Sequence, residues 1–261
     1  MFFKFVGGTD EILSDIFDKA VVGGSIKFGS ALEFNDPFEF KFRSIAPSKE
    51  IFDRWHEEYQ PLRTPEELKN AWEAFSGSGV SWNTSFQPRV NALSGFFVLC
   101  LATRWNSSLM WAHYTATHRG FAIRYKAEVI DALRNSADHV ASGPVRYQGE
   151  IPELRWFSAP PSELLQPILF TKSAEWSYEE EYRVVVAVVD GTSAVFRSID
   201  PSLISGIILG ARAPTALVRK ALNLREKRSD FSVEQVLSSS DSYDMVVHTV
   251  DGSVRMFSQF L

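Results

Sequence analysis

Three short segments of this chain bring carboxylates, imidazoles and aromatic rings close together in sequence: FNDPFE (34–39), LMWAHYTATHRG (109–120) and WSYEEEYR (176–183). The last is the richest in chemistry. Glu179, Glu180 and Glu181 are consecutive, and Arg183 follows two residues after Glu181. Adjacent carboxylates repel one another unless the backbone separates them, and a strand does so because successive side chains point to opposite faces. Read as a strand, the segment groups Glu179, Glu181 and Arg183 on one face and sends Glu180 to the other. Arg183 then favours the ionised form of a neighbouring carboxylate and holds its rotamer. Such a set is either a structural ion pair or a positioned negative charge facing a cleft.

The middle segment offers groups that both stack and hydrogen-bond: Trp111, His113, Tyr114, His118 and Arg119. The two histidines are five residues apart, off the i,i+4 spacing of a helical metal pair, and no HExxH pattern occurs. Two readings stand: a packed helix with satisfied histidines, or a ligand contact. His113, His118 and Arg119 would be costly to bury without partners, so Trp111 and Tyr114 are expected to line a cleft. In the first segment, Asn35, Asp36 and Pro37 are turn chemistry, since Asx side chains bond the backbone ahead and proline fixes φ. Phe34 and Phe38 would flank that turn as an apolar platform for a base or a nicotinamide ring. Asp36 followed by Glu39-Phe40-Lys41 also superficially matches the core of a metal-dependent nuclease.

The elements that must position these groups are mostly legible. FFKFV (2–6) reads as a strand, Thr9 as the N-cap of a helix through about Lys19, and SIKFGS (25–30) as a second strand. Residues 48–76 read as two helical segments broken at Pro61 and Pro65. The polar stretch SGSGVSWNTS reads as a loop, FFVLCLA as a buried strand and SLMWAHYT as a short helix. FAIRY reads as a strand, EVIDALRNS as a helix and PVRYQGEI as a short strand before a Pro-rich loop over 152–167. YRVVVAVV is the strongest strand signal, with a turn at Asp190-Gly191, then the strands AVFRSID and SGIILG. The helix APTALVRKALNLR and a hairpin of DMVVHTV and VRMFSQF turning at Asp251-Gly252 close the chain. Strand runs mixed with isolated helices, without βαβα alternation, predict α+β. VGGTD and VVGGS lack the dinucleotide and P-loop glycine patterns.

Composition narrows the function classes. The chain has 261 residues, 45% hydrophobic and 23% charged, the profile of a globular protein with a sizeable core. One cysteine, Cys100, excludes an internal disulfide framework, and its setting in FFVLCLA makes it a core residue rather than a nucleophile. No run reaches the roughly 20 apolar residues of a membrane span, and the apolar start is too short for a signal peptide. A soluble cytoplasmic protein is expected. The net charge of −5 argues against a general nucleic-acid surface.

Taken together, Phe34–Glu39, Leu109–Gly120 and Trp176–Arg183 resemble, in order, the motifs of the bacterial family catalogued as domain of unknown function 2971 (DUF2971), over roughly residues 2–212. The order of parts further resembles ADP-ribosyltransferases of the DarT-like kind: FFKFVGGTDEILSDIF, VVGGSIKFGS, then EEEYRVVV and DPSLISGIILG. Lys4 stands where that layout has His or Arg, and no Ser-Thr-Ser strand occurs. This resemblance implies a single α+β domain with a mixed, mostly antiparallel central sheet, a helical insertion at 48–76 and a C-terminal extension at 213–261. It implies a NAD-dependent ADP-ribosyltransferase, a toxin or antiphage-defence effector, with NAD as substrate. Glu181 would be the catalytic carboxylate, Glu179 its partner for the acceptor and Arg183 the orienting cation. Lys4, Ser30, Asn35, Asp36, Trp111, His113 and Tyr114 would bind NAD. The acceptor would be a protein or nucleic acid, with an antitoxin as a further partner and no membrane or metal. The alternatives are a metal-dependent nuclease using Asp36, Glu39, Lys41 and Glu181, and a non-catalytic nucleotide-binding or interaction module.

Overall fold

The computed structural model describes residues 1–77, 93–160, 163–188 and 194–250. In chain order they form β1 (Phe2–Val6), α1 (Asp10–Ile16), a π-helical turn (Phe17–Val22), β2 (Ser25–Ser30), β3 (Arg43–Ile45), α2 (Lys49–Tyr59), α3 (Pro65–Gly77) and β4 (Phe96–Ala102). Next come α4 (Ser108–Tyr114), β5 (Phe121–Tyr125), α5 (Val129–Arg134), β6 (His139–Pro144), β7 (Arg146–Gln148), β8 (Glu153–Arg155), α6 (Gln166–Leu169) and β9 (Thr171–Ser173). A 3-10 turn (Ala174–Glu179), β10 (Glu181–Ala187), β11 (Ala194–Ser198), a second 3-10 turn (Pro201–Leu203), β12 (Ile204–Leu209), α7 (Thr215–Lys227), β13 (Ser232–Ser238) and β14 (Met245–Thr249) follow.

The helix starts obey local chemistry. Thr9 caps α1 by accepting from the Ile12 N–H, Ser48 caps α2 through Ile51, and Ser107 caps α4 through Met110. Pro65 does not break a helix but opens one. Thr64 and Glu67 close a reciprocal capping box in front of it, and the first helical position tolerates proline because its N–H would be unpaired anyway. The first helix departs from expectation: it is α-helical only to Ile16 and continues as a π-turn to Val22. Leu13, Phe17 and Val21 still share one buried face.

The residues form two compact units: one of residues 1–29, 97–144 and 177–261, the other of 30–96 and 145–176. The expected helical insertion at 48–76 falls in the second of these units. The first unit holds a mixed, mostly antiparallel sheet in the order β11-β2-β4-β1-β5-β12-β13-β14, with β10 pairing β4 and β6. The chain is α+β, as its pattern predicts. β12 and β13 are parallel, and α7 supplies the crossover such a pair requires. In the described part of the C-terminal region, β13 and β14 continue the main sheet.

Both faces of this sheet are covered. Leu13, Phe17, Val129, Leu133, Leu217 and Ala221 from α1, the π-turn, α5 and α7 close one core. Phe3, Phe5, Ala122, Ile208 and Val236 pack against Met110 and Trp111 of α4 in another. Strand pleating separates the two sets, as in β5, where Phe121, Ile123 and Tyr125 join one core and Ala122 the other. Several strands are not legible in the sequence, β9 among them. β6 carries Gly143 and Pro144, both disfavoured in strands, and forms because β10 pairs with it. β8 lies in the expected Pro-rich loop, and β13 between the expected last helix and the expected hairpin, where no element was expected.

The second unit pairs β3 with β8 and β7 with β9, both in parallel. Phe52 of α2 centres an aromatic cluster with His56, Trp72, Phe75 and Phe157. No helix among the described residues is long and apolar enough to cross a membrane. The expected turn at Asp190-Gly191, the C-terminal hairpin turn with its last strand, and most of the loop at 76–85 lie outside the described residues.

Candidate functional site

Two of the three segments meet within the first unit. α4 ends at Tyr114, and its last two residues reach the 3-10 turn in consecutive rungs. His113 Nδ1 lies 3.1 Å from the Tyr178 hydroxyl, and the Tyr114 hydroxyl donates to Glu179 Oε1 at 2.5 Å. The His113 ring is exposed, Tyr114 and Tyr178 are half-buried, and Glu179 is buried. Burial first, and then the carboxylate it bonds, push the Tyr114 phenol far above its ordinary pKa. It is therefore a fixed hydrogen-bond donor and not a base.

Glu179 is not on the strand that the sequence suggested. It closes the 3-10 turn, and Glu180 takes a left-handed conformation at φ 42° before β10 begins at Glu181. That one residue turns the chain so that Glu179 and Glu181 both face inward. Glu180 stays exposed, 3.1 Å from Arg104 Nη1. Glu181 and Arg183 then share a face of β10 and form a two-point ion pair, Nε to Oε1 at 2.8 Å and Nη2 to Oε2 at 2.9 Å. Arg183 is fully buried and Glu181 is 4% exposed. A buried charge pair is kept only with such matched geometry, because desolvating either ion alone costs several kcal/mol. Glu181 also adjoins the Cys100 thiol; burial and then this carboxylate push that thiol well above its ordinary value, so it stays a neutral SH. Lys4 donates to the Cys100 carbonyl at 3.1 Å.

Trp111, expected at a ligand cleft, is instead fully buried. Its indole N–H donates to the Trp105 carbonyl at 2.7 Å, and Phe5 meets it edge-on at 5.2 Å. His118 stacks 6.5 Å from it, nearly parallel, with its Nδ1 buried and without a partner among the described residues. Burial and the Arg212 charge hold His118 below its ordinary pKa, so it is neutral at pH 7. Arg119 pairs with Asp10. Ala116, Thr117 and His118 form three consecutive left-handed residues, φ 49°, 57° and 65°. Glycines make room for this turn. A Cβ on Gly120 would fall 1.8 Å from the Val6 oxygen, and one on Gly210 would fall 2.1 Å from the His118 oxygen.

The first segment belongs to the second unit. Asn35 is exposed. Asp36 is buried and makes the expected Asx turn, Oδ1 accepting from the Phe38 N–H at 2.8 Å. Its Oδ2 has no hydrogen-bond partner among the described residues. Glu39 is buried against Lys172 at 3.4 Å, and Lys172 lies over the Trp176 ring. Phe38 is exposed with Lys41 above it, while Phe34 packs on Phe40. Ser30 Oγ accepts from the Leu32 N–H. Among the described residues, no three His, Cys, Asp or Glu side chains gather closely enough to hold a metal ion.

The sequence reading quoted Tyr178 but assigned it no role, although it holds His113. Its signal was the place beside Glu179 in WSYEEEYR, and the assumed strand hid it. No curated protein and no solved structure matches the chain. The segment that joins the two meeting motifs, residues 110–184, matches a family model, fewer than a third of the chain. That model is described as Protein of unknown function (DUF2971), the family whose motifs the sequence resembles, and residues 110–184 are similar to it.

Proposed function

We propose that the protein is a NAD-dependent ADP-ribosyltransferase, of the kind used as a toxin or antiphage-defence effector. One observation carries this reading. Two carboxylates two residues apart are each held by a dedicated donor, Glu179 by Tyr114 and Glu181 by Arg183, beside the exposed His113 ring. Breaking the nicotinamide–ribose bond develops positive charge on the ribosyl carbon, and preorganised negative charge lowers that barrier. Glu181, fixed by the guanidinium, supplies standing charge. Glu179, next to the half-buried Tyr178, is the carboxylate nearer the substrate, and the rings of Tyr114, Tyr178 and His113 offer faces for the nicotinamide. NAD is the substrate in this scheme, and the reading draws only on residues of the first unit.

The test is incubation of the purified protein with labelled NAD and whole-cell extract. Nicotinamide release and labelled macromolecules are expected from the wild type and from Glu180→Gln. Glu179→Gln should lose about 10²–10³ in rate, the worth of one preorganised electrostatic contact. Absence of both release and labelling in the wild type would sink the proposal. The burial of the Glu181–Arg183 pair favours a second reading, a non-catalytic nucleotide-binding module. Calorimetry showing NAD binding without nicotinamide release would put that reading ahead.

A further inference from the structure

Resting on the transferase reading, we propose that His113 is the general base of the transfer step and that the acceptor is a hydroxyl group. His113 is the exposed member of the cluster, and the carboxylates beside it are buried. Its ring is not free to wander, since Nδ1 is tied to the Tyr178 hydroxyl at 3.1 Å. With Nδ1–H donating to the Tyr178 oxygen, the lone pair is on Nε2, at the other side of an exposed ring. A base oriented by a third group in this way is the arrangement that proton abstraction requires. The next residue, Tyr114, is bound to Glu179, so base and carboxylate are held by adjacent rungs between the same two elements.

The acceptor oxygen forms its bond to the ribosyl carbon while His113 Nε2 takes the hydroxyl proton. The carbon–nitrogen bond to nicotinamide breaks, and its electron pair neutralises the pyridinium ring, which leaves as nicotinamide. The imidazolium then returns its proton to solvent. A hydroxyl needs such a base because its proton must go as the bond forms; an anionic nucleophile does not. The net charge of −5 makes a polyanion a poor partner, so the hydroxyl is one carried by a protein.

The experiment compares wild type, His113→Ala and Tyr178→Phe with NAD and three acceptors: water, methanol and azide. General-base catalysis contributes about 10²–10⁴. His113→Ala should therefore lose at least a hundredfold more in hydrolysis and methanolysis than in the azide reaction, which needs no base but still feels the loss of the ring. Tyr178→Phe, which keeps the ring and removes only the hydroxyl that positions the base, should show the same pattern with a smaller loss. If His113→Ala loses the azide reaction equally, or matches the wild type with every acceptor, the inference is overturned while the transferase reading stands. A wild type that releases nicotinamide with none of the three overturns both. Label from the extract that nuclease removes and protease spares would overturn the protein hydroxyl.

Discussion

The hydroxyl of Tyr114 and the carboxylate of Glu179, 65 residues apart in sequence, meet at 2.5 Å and tie α4 to the turn before β10. Glu179 is buried, so removing its donor leaves a charged acceptor poorly satisfied. Tyr114→Phe should cost about 1–3 kcal/mol in urea unfolding. A double-mutant cycle with Glu179→Gln should show a coupling of roughly 1 kcal/mol or more, as contacting residues do. A coupling near zero would mean the contact contributes nothing to the fold.

Alkaline stability follows from the same tyrosine and from Tyr125. Tyr114 is raised by burial and by Glu179, and Tyr125 by burial alone. As pH climbs past about 10, the unfolded chain loses these protons while the folded chain keeps them. Stability from this source is complete below about pH 10 and is lost above it. Circular dichroism against pH should show unfolding in the alkaline limb, and Tyr125→Phe should move its midpoint to higher pH. A midpoint that does not move would exclude Tyr125 as a cause.

The Glu181–Arg183 pair should behave as a unit. Arg183→Met removes the two-point partner of a buried carboxylate and should cost about 3–5 kcal/mol. Replacing both, as Glu181→Leu with Arg183→Met, should recover most of that loss, because the double variant removes both members of the pair. Melting of the two single variants and the double variant decides it. A double variant less stable than both singles would show that the pair stabilises the fold outright.

Trp111→Ala should destabilise strongly, by about 3–5 kcal/mol, since it empties a fully buried site. The turn that follows tolerates the opposite kind of change. Ala116→Gly relieves a left-handed residue and should be neutral or stabilise by up to about 1 kcal/mol. Gly120→Ala, whose Cβ would collide with the Val6 carbonyl, should yield little folded protein. Denaturant midpoints order the three variants, and a Trp111→Ala protein as stable as wild type would place Trp111 outside the core.

Much of this protein was legible from local chemistry. Thr9, Ser48 and the alternation in FFKFV and FAIRY each encode their element over a few residues, and a few residues suffice because capping and pleating are short-range. So did the grouping of Glu181 with Arg183, a period-two relation within one strand. What local pattern could not decide were relations set by distant partners. Glu180 adopts a left-handed conformation that no propensity favours for glutamate, and it alone moved Glu179 from the strand onto the turn. Trp111 shares its segment with His113, His118 and Arg119, yet Phe5 and the Trp105 carbonyl contact it in the interior, and the segment carries no trace of either contact. β6 exists because β10 offers it hydrogen bonds, overriding its glycine and proline. The sequence determined which groups are available; the tertiary structure decided which face solvent and which are matched in the interior. The cost of an unpaired buried charge or amide is settled only when the distant partner arrives.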